Sequence, residues 1–165
     1  EQGLTVSVPE ILELAAAYSG PVSVFDVNDP AFMAPGDMPK RIAVWCADHD
    51  VVVPDGSVAM VASIVESLAT AFAEAIQTAA VLSGKTVKTI NMVGGGSQNK
   101  LLNQRLADIS GCTVVAGPVE ATALGNLLVQ ARTAGLISGD LESLRALVRQ
   151  AHSPEVFTPH VKVGA

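Results

Sequence analysis

The sequence predicts an α/β layered domain. Two stretches and one bulk property carry that expectation. "TVKTINMV" (86–93) alternates like a strand and runs through three glycines into an apolar-periodic segment, and "CTVVA" (112–116) runs in the same way into "VEATALGNLLVQARTAG" (119–135). Strands that alternate with helices stack in separate layers. With 165 residues, 49% of them hydrophobic, the chain can bury a core between those layers and suits one domain, 1–165.

The elements follow from local chemistry. In "SVPEILELAAAYSGP", Ser7 and Glu10 stand at capping-box spacing, Pro9 lies in the first turn, and Ile11, Leu12, Leu14 and Ala15 give an apolar face. A helix over 8–19 is expected, with Gly20 as its stop. "VSVF" (22–25) reads as a short strand, and "DVNDPAFMAPGD" (26–37) as an irregular loop. Asp37 and Pro39 predict a second helix reaching about Ala47, with Trp45 as its packing anchor. Asp55 is expected to cap a long helix to about Leu82, ended by Gly84. Its polar residues Ser63, Glu66, Thr70, Glu74 and Gln77 form one narrow stripe, so the helix should be sandwiched between a sheet and another helix or domain. A helix over Asn99–Ile109 follows from Leu101, Leu102, Leu106 and Ile109; Gly135 ends the next, and Asp140 caps the last.

Several function classes are disfavoured. Charged residues make up 16% of the chain and the net charge is -6, so the basic footprint of a nucleic-acid binder is missing. The longest apolar stretch, 58–82, carries Glu66 and Glu74 where a membrane span would avoid charge, and no basic-then-apolar leader opens the sequence. A cytoplasmic protein with Cys46 and Cys112 reduced is the expectation. His49, His152 and His160 have no ligand spacing with either cysteine, so no metal site is expected. No Gly-x-Ser-x-Gly elbow is present. Asp26, Asp29, Asp37, Asp48, Asp50 and Asp55 fit turn and cap positions, and none is assigned as a catalytic base.

"NMVGGGSQNKLLNQ" (91–104) is the stretch that points to a ligand. Between a strand and a helix, Gly94, Gly95 and Gly96 bring backbone N–H groups and a helix N-terminus to one place, and their missing Cβ atoms allow a close approach. A nucleotide is the natural occupant. The stretch lacks the third-glycine spacing of a dinucleotide fingerprint and the Gly-Lys-Ser/Thr ending of a P-loop, so spacing alone leaves a nucleotide site and an empty tight turn both open.

"NMVGGGSQNKLLNQRLADISGCTVVAGPVEATALGN" (91–126) resembles the carboxy-terminal domain of the FGGY carbohydrate kinases. "NDPAFMAPGDMPKRI" (28–42), "VPDGSVAMVASIVESLA" (53–69) and "FTPH" (157–160) extend the resemblance, which within the family is greatest to the branch acting on L-rhamnulose. Its most specific part is the pair of GGGSQN at 94–99 with AGPVEATALGN at 116–126. The resemblance implies an actin-like ATPase (ribonuclease H-like) domain, a mixed sheet with flanking helices forming one lobe of a two-lobe kinase. It implies ATP and Mg2+ as cofactors and a ketose hydroxyl as phosphate acceptor. Gly94, Gly95 and Gly96 would lie against the adenosine, Asn99 at the adenine, and Ser97 and Gln98 at the pocket edge. Gln104 also matches a family position, although its helical spacing from Leu101 gives it a packing or surface role equally well. Glu120 and Thr122 would open a helix, and Gly117 and Gly125 would serve a turn and close helix packing.

Neither the family's two phosphate loops nor its aspartate base is recognisable here. With Glu1 in place of a methionine, this gives the expectation of a carboxy-terminal piece of a longer kinase, inactive alone, whose ketose is held through a missing amino-terminal lobe. Apolar surface left by that lobe would favour self-association. The alternatives are a non-catalytic nucleotide-binding module and a structural domain with an empty glycine turn.

Overall fold

A computed structural model of the protein describes residues 6–160. Helix α1, Val8–Ala16, starts with the full capping box: the Ser7 hydroxyl accepts from the Glu10 N–H, and the Ser7 N–H donates to Glu10 Oε2 at 2.8 Å. It stops at Ala16, short of Gly20.

The segment "VSVF" forms no strand. Its inward N–H groups, on Ser23 and Phe25, donate to the hydroxyls of Ser63 and Ser67 at 3.0 and 3.1 Å, so side chains of a helix take the place of a neighbouring strand. Phe25 then packs with Phe32 and Trp45 at ring-centroid distances of 5.4 and 6.2 Å. Trp45 is the anchor its position suggested, and its indole N–H donates to Asp29 Oδ2 at 2.9 Å. Arg41 grips the loop below through the carbonyls of Ala31, Ala34 and Pro35.

Helix α2, Met38–Asp48, and helix α3, Gly56–Ser83, begin where the aspartates indicated but without the expected side-chain caps. Asp37 sits in the left-handed region at φ +47 and Asp55 is extended; neither carboxylate accepts a capping bond. Length and composition would allow α3 to cross a membrane. Its first half is instead buried in this chain, through Ala59, Ala62, Ser63, Val65, Ser67 and Ala69. Its second half is mostly exposed, with Leu82 at 83%. The expected sandwich therefore covers only the first half, and the polar stripe is not simply the wet side, because Ser63 is fully buried and Glu66 is paired with Arg105.

A small mixed sheet completes the α/β arrangement. Strand β1, Thr89–Met92, pairs in parallel with β2, Thr113–Ala116, and helix α4, Lys100–Ser110, makes the crossover. Helices α5, Ala121–Thr133, and α6, Leu141–Ala151, follow, the latter capped by Asp140 as expected. Strand β3, Glu155–Phe157, was not foreseen; it pairs antiparallel on the other edge of β2, with Val114 opposite Phe157. Three residues carry no periodicity to read, and the pairing is made by a tertiary contact. The core gathers Val65 and Ala69 of α3, Leu102, Leu106 and Ala107 of α4, Val114 and Ala116 of β2, and Phe157.

Candidate functional site

The glycine turn sits at the carboxyl end of β1, beside the turn that leaves β2. The Gly94 N–H donates to the Pro118 carbonyl at 3.3 Å, and the Gly117 N–H donates to the Met92 carbonyl at 2.8 Å. Ligands of open α/β sheets bind at this carboxyl edge of parallel strands. A cavity of about 540 Å³, lined by α3 from Ala73 to Val81 together with Lys85–Val87 and Cys112, lies at the other end of the same two strands.

The three glycines differ in what the chain demands of them. Gly94 has φ +76 and ψ -162, a backbone conformation open to glycine alone. A Cβ on Gly96 would touch Met92 Sδ at 3.4 Å, an ordinary contact. Gly95 is exposed, its φ is not positive, and a Cβ there would meet nothing within 4 Å. Nothing in the described chain requires glycine at that position.

After Gly94 the chain makes a short 3-10 turn, Gly95–Gln98, and enters α4. Ser97 is buried, with its N–H and its hydroxyl both donating to the Gly94 carbonyl, at 3.1 and 2.7 Å. Gln98 is exposed beside it. Asn99 is the N-cap of α4: its Oδ1 accepts from the Leu102 N–H at 3.0 Å, and its amide N–H2 makes no hydrogen bond among the described residues. All six sequence-predicted residues thus fall on one continuous turn.

The remaining motif residues lie away from the glycine turn's exposed face or are engaged within the chain to different degrees. Gln104 donates to Asp108 Oδ1 and to the Thr158 carbonyl, both at 2.9 Å, which ties α4 to the segment after β3. Burial pushes the Asp108 carboxyl up, but the His160 backbone N–H, the Gln104 amide and the His160 ring outweigh it and hold its pKa below the ordinary value. Arg105 forms a two-pronged pair with Glu66 at 2.6 Å per bond, joining α4 to α3; that bond raises the guanidinium pKa further. Gly117 serves its turn, since a Cβ would come within 3.3 Å of Val93 Cγ1. Among the described residues Gly125 packs closely against nothing, since a Cβ would meet no atom within 4 Å. Glu120 and Thr122 are exposed at the start of α5, and Glu120 makes no side-chain cap.

One residue was missed. Asn103 lies on the inward face of α4 with Leu102 and Leu106, is fully buried, and donates from Nδ2 to the Ser97 carbonyl at 3.0 Å. Its signal was in the sequence: a polar side chain three residues before Leu106, on a face whose neighbours are apolar. Among the described residues no group of three His, Cys, Asp or Glu side chains is placed to hold a metal, and burial pushes the Cys46 thiol pKa up.

Residues 1–134 match the model of the FGGY family of carbohydrate kinases, C-terminal domain, and the chain belongs to that family. Within it, the chain is similar to proteins named rhamnulokinase. It is 39% identical over 137 residues to that of Enterobacter sp. (strain 638), a match covering 83% of this chain and 28% of the relative. It is 34% identical to that of Enterococcus faecalis, over 94% of this chain and 32% of the relative, and 35% identical to that of Bacteroides thetaiotaomicron, over 93% and 31%. The chain spans about three tenths of the length of these relatives.

Proposed function

We propose that this chain is the adenosine-binding, carboxy-terminal domain of a kinase that transfers the ATP γ-phosphate to a hydroxyl of L-rhamnulose. Gly95 carries the reading. An exposed glycine that the described chain does not require, placed directly after Gly94 in a strand-to-helix turn, fits something from outside the chain lying against it, and an adenosine face needs such a Cβ-free surface. Gly94 and Gly96 would continue that surface, the Asn99 amide would donate to the adenine, and Gln98 would border the pocket. Ser97, its hydroxyl already engaged, would hold the turn in shape.

The fold in this reading is an actin-like ATPase lobe, supported by the strand, glycine turn and helix order and by the mixed sheet. The exposed Leu127, Leu136 and Leu141 fit a surface that the rest of a two-lobe protein would cover. Mg2+ would neutralise the transferring phosphate when bound, and no described residue is assigned to it. What this chain contributes is position: it fixes the nucleotide so that closure of two lobes brings the γ-phosphate in line with the acceptor hydroxyl. The test is to assay the full-length gene product and this 165-residue chain for ATP-dependent phosphorylation of L-rhamnulose, with GTP and other ketoses as comparisons. Turnover by the full-length protein with ATP and none by the chain alone supports the proposal. Turnover by the chain alone, or none by the full-length protein on any ketose, contradicts it.

A further inference from the structure

Asn103 is buried at a cost the core does not explain. It is 0% exposed between Leu102 and Leu106, and its Oδ1 has no hydrogen-bond partner among the described residues. The amide cannot be turned over to relieve this, because Oδ1 would then face the Ser97 carbonyl, acceptor against acceptor. A buried acceptor left unpaired destabilises a fold, and an apolar side chain of like volume would remove that penalty. The core gains nothing from Oδ1, so the one bond that justifies an amide here is the one its Nδ2 makes to the Ser97 carbonyl.

What asparagine supplies is a hold on the turn. From the core, Nδ2 fixes the Ser97 carbonyl, and Ser97 fixes the Gly94 carbonyl twice, through its N–H and its hydroxyl. The chain of bonds runs from the buried face of α4 to Gly94, whose φ +76 and ψ -162 are open to glycine alone. The neighbouring Gly95 is exposed and has no side chain to anchor it.

We propose that Asn103 is a positioning residue for nucleotide binding, setting the Gly94–Gly95 backbone from inside the core so that it meets adenosine already in place. The inference rests on the adenosine reading of this turn. It is tested in the full-length gene product with Asn103→Leu, by melting temperature, by calorimetric titration of ADP, and by KM for ATP against KM for the acceptor sugar. Gly95→Val is carried in parallel. The expected result is a variant that still melts in one cooperative step, with ADP binding and KM for ATP weakened about three- to tenfold and a sugar KM changed less than about twofold. Should Asn103→Leu not fold, Asn103→Met offers a flexible chain for the same space and the same expectation. A folded variant with unaltered ADP affinity, or one whose two KM values rise together, overturns the role of Asn103 while Gly95→Val still blocks ADP. If the parent protein does not bind ADP, or Gly95→Val leaves binding intact, the adenosine reading fails and this inference with it.

Discussion

Helices α4 and α5 each follow a short parallel strand and a glycine-bearing turn, yet they end in opposite environments. In eleven residues α4 buries Leu102, Asn103, Leu106 and Ala107; in thirteen, α5 buries none. Both carry apolar residues at helical spacing, so the difference lies in what stands across from them. α4 faces α3 and the sheet, whereas Leu127 on α5 is 61% exposed. A helix pattern in sequence states which face wants burial, and only the surroundings state whether it is granted.

The largest expected contrast is in stability. Leu106→Ala should cost about 2–5 kcal/mol, since the side chain is fully buried in the main core, while Leu127→Ala should change stability by less than about 0.5 kcal/mol. Urea denaturation of the two variants measures this, and equal losses would break the comparison.

Next come the glycines of the two regions. Gly94→Ala should cost about 1–3 kcal/mol, because alanine is strained at φ +76 and ψ -162. Gly125→Ala should instead stabilise this chain by up to about 1 kcal/mol, because it replaces a mid-helix glycine in open space with the best helix former. The sign of the second change in the full-length protein sharpens the comparison: a loss there would show that α5 packs closely against residues outside this chain.

The smallest effect concerns acid. The folded pKa of Asp108 is depressed, so the stability its bonds to His160 and Gln104 contribute is complete above an unfolded carboxylate value of about 3.9. It is lost as pH falls below that value through the lower folded pKa. Asp108→Asn should therefore flatten the acid limb of a stability–pH curve that is otherwise unchanged in shape, read by denaturation at stepped pH.

Much of the candidate site was legible because local rules govern it. The glycines, the helix start at Asn99 and the order of strand, turn and helix all come from short-range preferences, as do the Ser7–Glu10 box and the Gly84 stop. What stayed hidden depends on partners far along the chain. "VSVF" takes its bonds from hydroxyls 40 and 42 residues away, β3 exists only against β2, and the polar residues of α3 divide between core and ion pair. Asp37 and Asp55 marked helix starts correctly while serving by backbone shape rather than as acceptors. Asn103 was legible as a polar residue on an apolar face, but its link to Ser97 needed the turn to be closed.

Calorimetric titration of ADP into the full-length protein, its Gly95→Val variant and its Asn99→Ala variant bears most directly on the claim that this turn faces a nucleotide. Adenine-selective binding is expected, which Gly95→Val abolishes and Asn99→Ala weakens by about 0.5 to 1.5 kcal/mol, the worth of one hydrogen bond. Binding of equal strength in all three proteins would contradict that claim, because the exposed glycine would then face only water.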